Sequence, residues 1–152
     1  MLHTSYVNDS KAGASLAPAV RTATAAGTGI DLKDFRSAIA VFHCGTFGDT
    51  QSGSVYIEAE LQDSDDNSTF AAVADANLAF PSGKSARTGT ATGTFFQSKT
   101  TGAADAAGLY EVGYKGLKRY LRVNVRYTGT HSIGTPVCAQ VRLGNADVKP
   151  VQ

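Results

Sequence analysis

The sequence predicts an all-β fold, an antiparallel β-sandwich built as one domain, and three observations carry that prediction. Apolar and polar residues alternate with period two over 55–61, 121–127 and 137–143, as in strands with one buried and one wet face. Clusters of Gly, Ser, Asp and Asn separate the apolar runs at the spacing of sandwich or barrel turns, and Gly alone supplies 16 residues. Ala and Thr are frequent, Leu is scarce and Trp is absent, a mix that favours short strands over packed helices.

Taken in order, residues 1–29 read as an extended N-terminal arm, rich in Ser, Ala, Gly and Thr and poor in large apolar side chains. Such a segment cannot offset its own ordering entropy, so Leu16, Pro18 and Val20 are expected to dock on a neighbouring surface. The folded domain spans residues 30–145. Ile30 and Leu32 open a short strand. The run Ser37 to Cys44 is apolar at nearly every position, as a strand buried on both faces would be. Gly45 and Gly48-Asp49 make a turn. Val55, Ile57, Ala59 and Leu61 then form a buried face opposite Tyr56, Glu58, Glu60 and Gln62. Asp63 to Ser68 is a turn held by Asx and Ser side chains. Phe70 to Val73 resumes a strand, and Asp75 to Asn77 is a short helical turn or loop. Residues 82–108 read as a long loop with one or two short strands around Phe95-Phe96. Tyr110, Val112 and Tyr114 alternate with polar positions; Leu121 to Tyr127 and Val137 to Leu143 complete the set. Residues 146–152, with Pro150, leave the domain as a tail.

Bulk properties exclude several function classes. A net charge of +1 gives no global attraction to nucleic acid or to an anionic membrane surface, so neither is expected as a partner. No apolar run approaches the roughly 18 residues of a membrane span. The N-terminus lacks the basic and apolar regions of a signal peptide, which predicts folding in a reducing cytoplasm. Cys44 and Cys138 read as small buried apolar side chains, with a long-range disulfide as the alternative.

The motifs that suggest chemistry fail on spacing. Gly83-Lys84-Ser85 has the end of a phosphate-binding loop, but the position that needs an earlier Gly holds Leu78. Asp63, Asp65 and Asn67 begin like a calcium loop, which then wants Gly and Glu where Ser68 and Ala74 stand. His3, His43 and His131 lack metal spacing. The adjacency in His131-Ser132 does not make a hydrolase, because the base must reach the hydroxyl in space and needs an orienting acid, and no nucleophile elbow occurs. The expectation is a protein that is not an enzyme and needs no cofactor or metal. Lys115, Lys118, Arg119, Arg122 and Arg126, interleaved with Tyr114, Tyr120 and Tyr127, fit a polar protein–protein surface better than a nucleic-acid one. Glu58 and Glu60 can pair with Arg122 and Arg126 if their strands are neighbours.

Several phrases carry a family resemblance: Leu16 to Thr24, Gly27 to Leu32, Leu61 to Phe70, and Val112 to Gly116 running into Arg119 to Val123. In this order they resemble small structural proteins of tailed-phage head modules, the capsid decoration (cement) proteins. The resemblance implies a jelly-roll-like sandwich on the outer capsid surface of the virion, made in the bacterial host cytoplasm. It implies the major capsid protein as partner and a homo-oligomer, dimer or trimer. The residues implied for contact are Leu16, Pro18, Val20 and Arg21 on the arm, and Tyr114, Lys115, Lys118 and Arg119. A head–tail connector or a glycan-binding virion protein is the alternative. The segment 82–108 departs from the family as an insertion.

Overall fold

The computed structural model describes residues 8–81, 91–100 and 105–147. Two antiparallel sheets pack together as a sandwich. The strands are β1 (Lys11–Arg21), β2 (Ala25–Ala26), β3 (Ile30–Asp31), β4 (Phe35–Cys44), β5 (Tyr56–Ser64), β6 (Ala71–Ala72), β7 (Leu78–Ala79), β8 (Thr94–Gln97), β9 (Gly108–Tyr114), β10 (Tyr120–Thr128) and β11 (Thr135–Ala146). One sheet runs β1-β11-β4-β9-β7. The other runs β2-β10-β5-β6, with β3 beside β10 and β8 beside β5.

The period-two runs form the strands their patterns require. Val137, Ala139, Val141 and Leu143 of β11 face Leu121, Val123 and Val125 of β10 and Ile57, Ala59 and Leu61 of β5 across the core. Phe42 is fully buried, with Phe96 at 5.0 Å between ring centroids and Phe95 at 6.4 Å edge-on. Tyr110 adds an edge contact to Phe96 at 4.8 Å. Each such ring pair contributes about 1 kcal/mol beyond the area it buries.

The N-terminal segment differs from its expected role. Residues 11–21 are the edge strand of the first sheet, paired with β11 from Lys11 opposite Leu143 to Arg21 opposite Thr135. The arm is extended, but its partner is its own domain. Weak periodicity hid the strand, because register shifts between Ala14 and Leu16, and between Leu16 and Ala19, break the alternation. At the first irregularity Ser15 turns inward and joins the sheets. Its hydroxyl accepts from Val123 N–H at 3.0 Å and donates to Thr28 C=O at 3.1 Å. Gly27 passes so close that a Cβ there would strike Ser15 and the Val123 carbonyl.

Two further expectations change, and the short strand expected around Phe95-Phe96 is present as β8. β4 is not buried throughout: Ile39 and His43 point outward and are exposed, while Val41 on the same face is buried. Of the segment 82–108, residues 82–90 and 101–104 lie outside the described residues, while β8 is buried at all four positions. The expected tail begins one strand residue early: Ala146 closes β11, Asp147 N–H donates to Asp34 C=O at 2.8 Å, and Pro150 lies outside the described residues. Asp75–Asn77 is a 3₁₀ turn, as its sequence suggested.

Candidate protein interface

The outer face of the five-stranded sheet follows from strand register. Cys138, His43 and Leu109 form one row across β11, β4 and β9. Gln140, Val41 and Glu111 form the next, and Arg142, Ile39 and Gly113 the third. Leu109 is 61% exposed and Ile39 44%, and Val20 at the end of β1 is 64% exposed. A groove of about 330 Å³ lies along this face, lined by Pro18, Val41, His43, Leu109 and Cys138 among others. The groove is mostly apolar, while Gln140, Glu111 and Arg142 give the rest of the face polar and charged positions.

The outer face of the second sheet has the opposite chemistry. Arg126 spans two carboxylates, at 3.1 Å to Glu58 and 2.6 Å to Glu60. Gln97 donates to Glu58 at 2.7 Å, and the Thr94 hydroxyl accepts from Arg126 at 3.0 Å. Arg122 donates to Gln62 at 2.8 Å and lies 4.0 Å over the Phe70 ring. The expected cross-strand pairing thus occurs at Arg126, whereas Arg122 takes other partners. Glu58 and Glu60 were expected to be wet and are instead buried, since β8 lies against β5 on that edge.

At one end of the sandwich the β9–β10 loop is pinned from several sides. Tyr114 Oη donates to Asp63 at 2.8 Å and accepts from Lys118 N–H at 3.1 Å. Burial, followed by the Asp63 carboxylate, pushes the Tyr114 phenol well above its usual range. Lys115 N–H donates to Asn77 C=O at 2.8 Å. Arg119 makes a two-point pair with Asp31, at 3.0 and 2.7 Å, which lowers the Asp31 carboxyl. Lys118 pairs with Asp65 at 3.2 Å. Leu117, at the tip, is fully exposed.

The remaining motif residues serve the fold. Asp66 accepts from Ser68 N–H at 2.9 Å, Thr69 N–H at 2.8 Å and Ser64 Oγ at 2.8 Å, the Asx turn expected at 63–68. Asn67 takes a left-handed φ of 59°. Asp63 and Asp65 point to Tyr114 and Lys118, so the calcium-like triplet does not converge. His131 is buried; its Nε2 lies 3.0 Å from Thr128 C=O, and its ring stacks edge-on to Tyr127. Asp49 accepts three N–H groups, from Ser132, Ile133 and Gly134, at 2.9, 3.1 and 2.7 Å. Cys44 is in the core, where burial pushes its thiol up to about 12; Cys138 lies on the outer face, and both are free. The Gly83-Lys84-Ser85 phrase lies outside the described residues.

The expected contact residues separate into two places. Pro18 and Val20 are exposed on β1 beside the apolar groove. Leu16 is 4% exposed and belongs to the core, and Arg21 is half-buried. Tyr114, Lys115, Lys118 and Arg119 gather at the β9–β10 loop, with Tyr114 as its internal support. Sequence reading did not single out the exposed apolar residues Ile39, Leu109 and Leu117. Ile39 sat in a run read as doubly buried, and the other two are single apolar residues beside turns, with no periodic signal. Among known proteins, no family model, no curated protein and no solved structure matches the chain.

Proposed function

We propose that this chain is a structural protein of a tailed-phage virion that decorates the outer capsid surface and bridges major capsid protein subunits. The observation that carries the reading is the contrast between the two outer sheet faces. One face satisfies its own charges through Arg126, Glu58, Gln97 and Thr94. The other presents Val20, Ile39 and Leu109 beside an apolar groove. A rigid sandwich with an exposed apolar groove on one face suits docking on a large, repeated surface, where many weak contacts add. Strand orders β1-β11-β4-β9 and β2-β10-β5-β8 support the jelly-roll reading, a fold shared by many capsid and lectin domains. That support is analogy at the level of fold. In this reading the chain is not an enzyme, and it acts as a homo-oligomer on the shell.

The test mixes the purified chain with undecorated heads and follows co-sedimentation. Saturable binding at many copies per head is expected, with loss of binding in Ile39→Glu and Leu109→Glu at unchanged melting temperature. Absence of binding overturns the reading, and one ring of copies per particle favours the connector alternative. Deleting residues 1–20 is not a clean test of contact, because β1 belongs to the sheet.

A further inference from the structure

A second site of different chemistry lies at the pinned end of the sandwich. A cleft of about 470 Å³ opens between the turn after β3 and the β9–β10 loop. Its apolar surface comes from Leu32, Phe35 and Leu117. Its charged lining is of one sign: Lys33, Arg36, Lys118 and Arg119. The acids that pair with three of these cations, Asp147, Asp65 and Asp31, are not part of the lining. Those pairs are exposed on both sides, so a ligand carboxylate can share or replace them at small cost. Lys33 makes no ion pair among the described residues.

We propose that this cleft binds an extended peptide segment in which acidic and aliphatic side chains alternate, carboxylates meeting Lys33 and Arg36 while an aliphatic side chain packs on Leu117. Charge complementarity selects the acidic occupant, and the apolar surface selects a peptide over a polyphosphate chain. Sequence-tolerant nucleic-acid binding needs open aromatic platforms. Tyr114 has its hydroxyl engaged by Asp63 and Lys118 and its ring closely approached by Gly116, and the Arg119 guanidinium lies 5.2 Å from the Tyr120 ring centroid. Because the Tyr114 hydroxyl and the Lys115 N–H bond to Asn77 C=O already hold the loop, binding requires little further ordering. The site stands independently of attachment to a shell.

Fluorescence anisotropy with the full chain tests it, using a labelled, end-capped peptide of alternating Glu and Leu. The controls are a Lys/Leu peptide of equal length and a short oligothymidylate. The Glu/Leu peptide is expected to bind, to weaken with added salt, and to weaken about tenfold in Lys33→Glu, an exposed position outside the core. Leu117→Ser is expected to weaken it at unchanged salt dependence. Equal binding of the Glu/Leu and Lys/Leu peptides overturns the proposal, as does unchanged affinity in Lys33→Glu. Tighter binding of oligothymidylate, lost in the same variant, replaces it with a nucleic-acid site.

Discussion

The Ser15 hydroxyl accepts the backbone N–H of Val123 at 3.0 Å, a bond between residues 108 positions apart that ties the edge strand of one sheet to the centre of the other. The Thr28 carbonyl takes the same hydroxyl's proton. Ser15→Ala leaves both backbone groups without this partner at a buried position, which costs about 1–3 kcal/mol. Urea unfolding of the variant checks this, and an unchanged midpoint refutes the role of the bond.

Arg126 is the counter-charge for two buried carboxylates. Arg126→Met therefore strands Glu58 and Glu60 together and is expected to cost about 3 kcal/mol near neutral pH. The triple variant with Glu58→Gln and Glu60→Gln recovers much of the loss, because the uncompensated charge is gone. A double-mutant cycle measured by chemical denaturation gives the coupling directly.

Acid sensitivity follows from Asp49 and Asp66. Backbone N–H groups, chiefly from Ile133 and Gly134 for Asp49 and from Thr69 and Ser68 for Asp66, hold both carboxyls below the ordinary 3.8. Folded values below unfolded ones mean that this stabilisation is complete above pH 3.8 and disappears as pH falls through the folded values. Melting temperature is thus expected to drop below about pH 4, and less steeply in Asp49→Asn. A flat profile between pH 5 and about pH 2 contradicts the assignment.

The two thiols should react differently. Cys44 is buried with its thiol raised to about 12, so almost no thiolate exists at neutral pH. Cys138 is half-buried on the outer face, in register with His43. A colourimetric disulfide reagent is expected to titrate one thiol in the native chain and two in denaturant. Two fast thiols in the native state would place Cys44 outside the core.

Much of this fold was legible in sequence. The alternations at 55–61, 121–127 and 137–143 need only the two-residue period, and all three became strands of the core. The Asx turn at Asp66 was legible because its hydrogen bonds are local. β1 was not, since its stability comes from β11 and its bulges erase the period. Glu58 and Glu60 were misplaced for a related reason: parity assigns a face but not what lies over it. The exposed apolar residues were least legible. Ile39 looks like any core residue until the sheet order leaves its side uncovered.

One consequence belongs to the seam between β1 and β11. Asp9 accepts the Ala146 N–H at 2.8 Å, and Lys11 stands opposite Leu143, so the first and last described segments are neighbours at one corner. A short linker between these positions closes the backbone into a ring without crossing the molecule. New ends can then be cut at the exposed Gly53-Ser54 turn, moving the attachment point of any genetically fused cargo to the opposite pole. The protein is thereby a scaffold whose point of display can be chosen while its sheets stay intact.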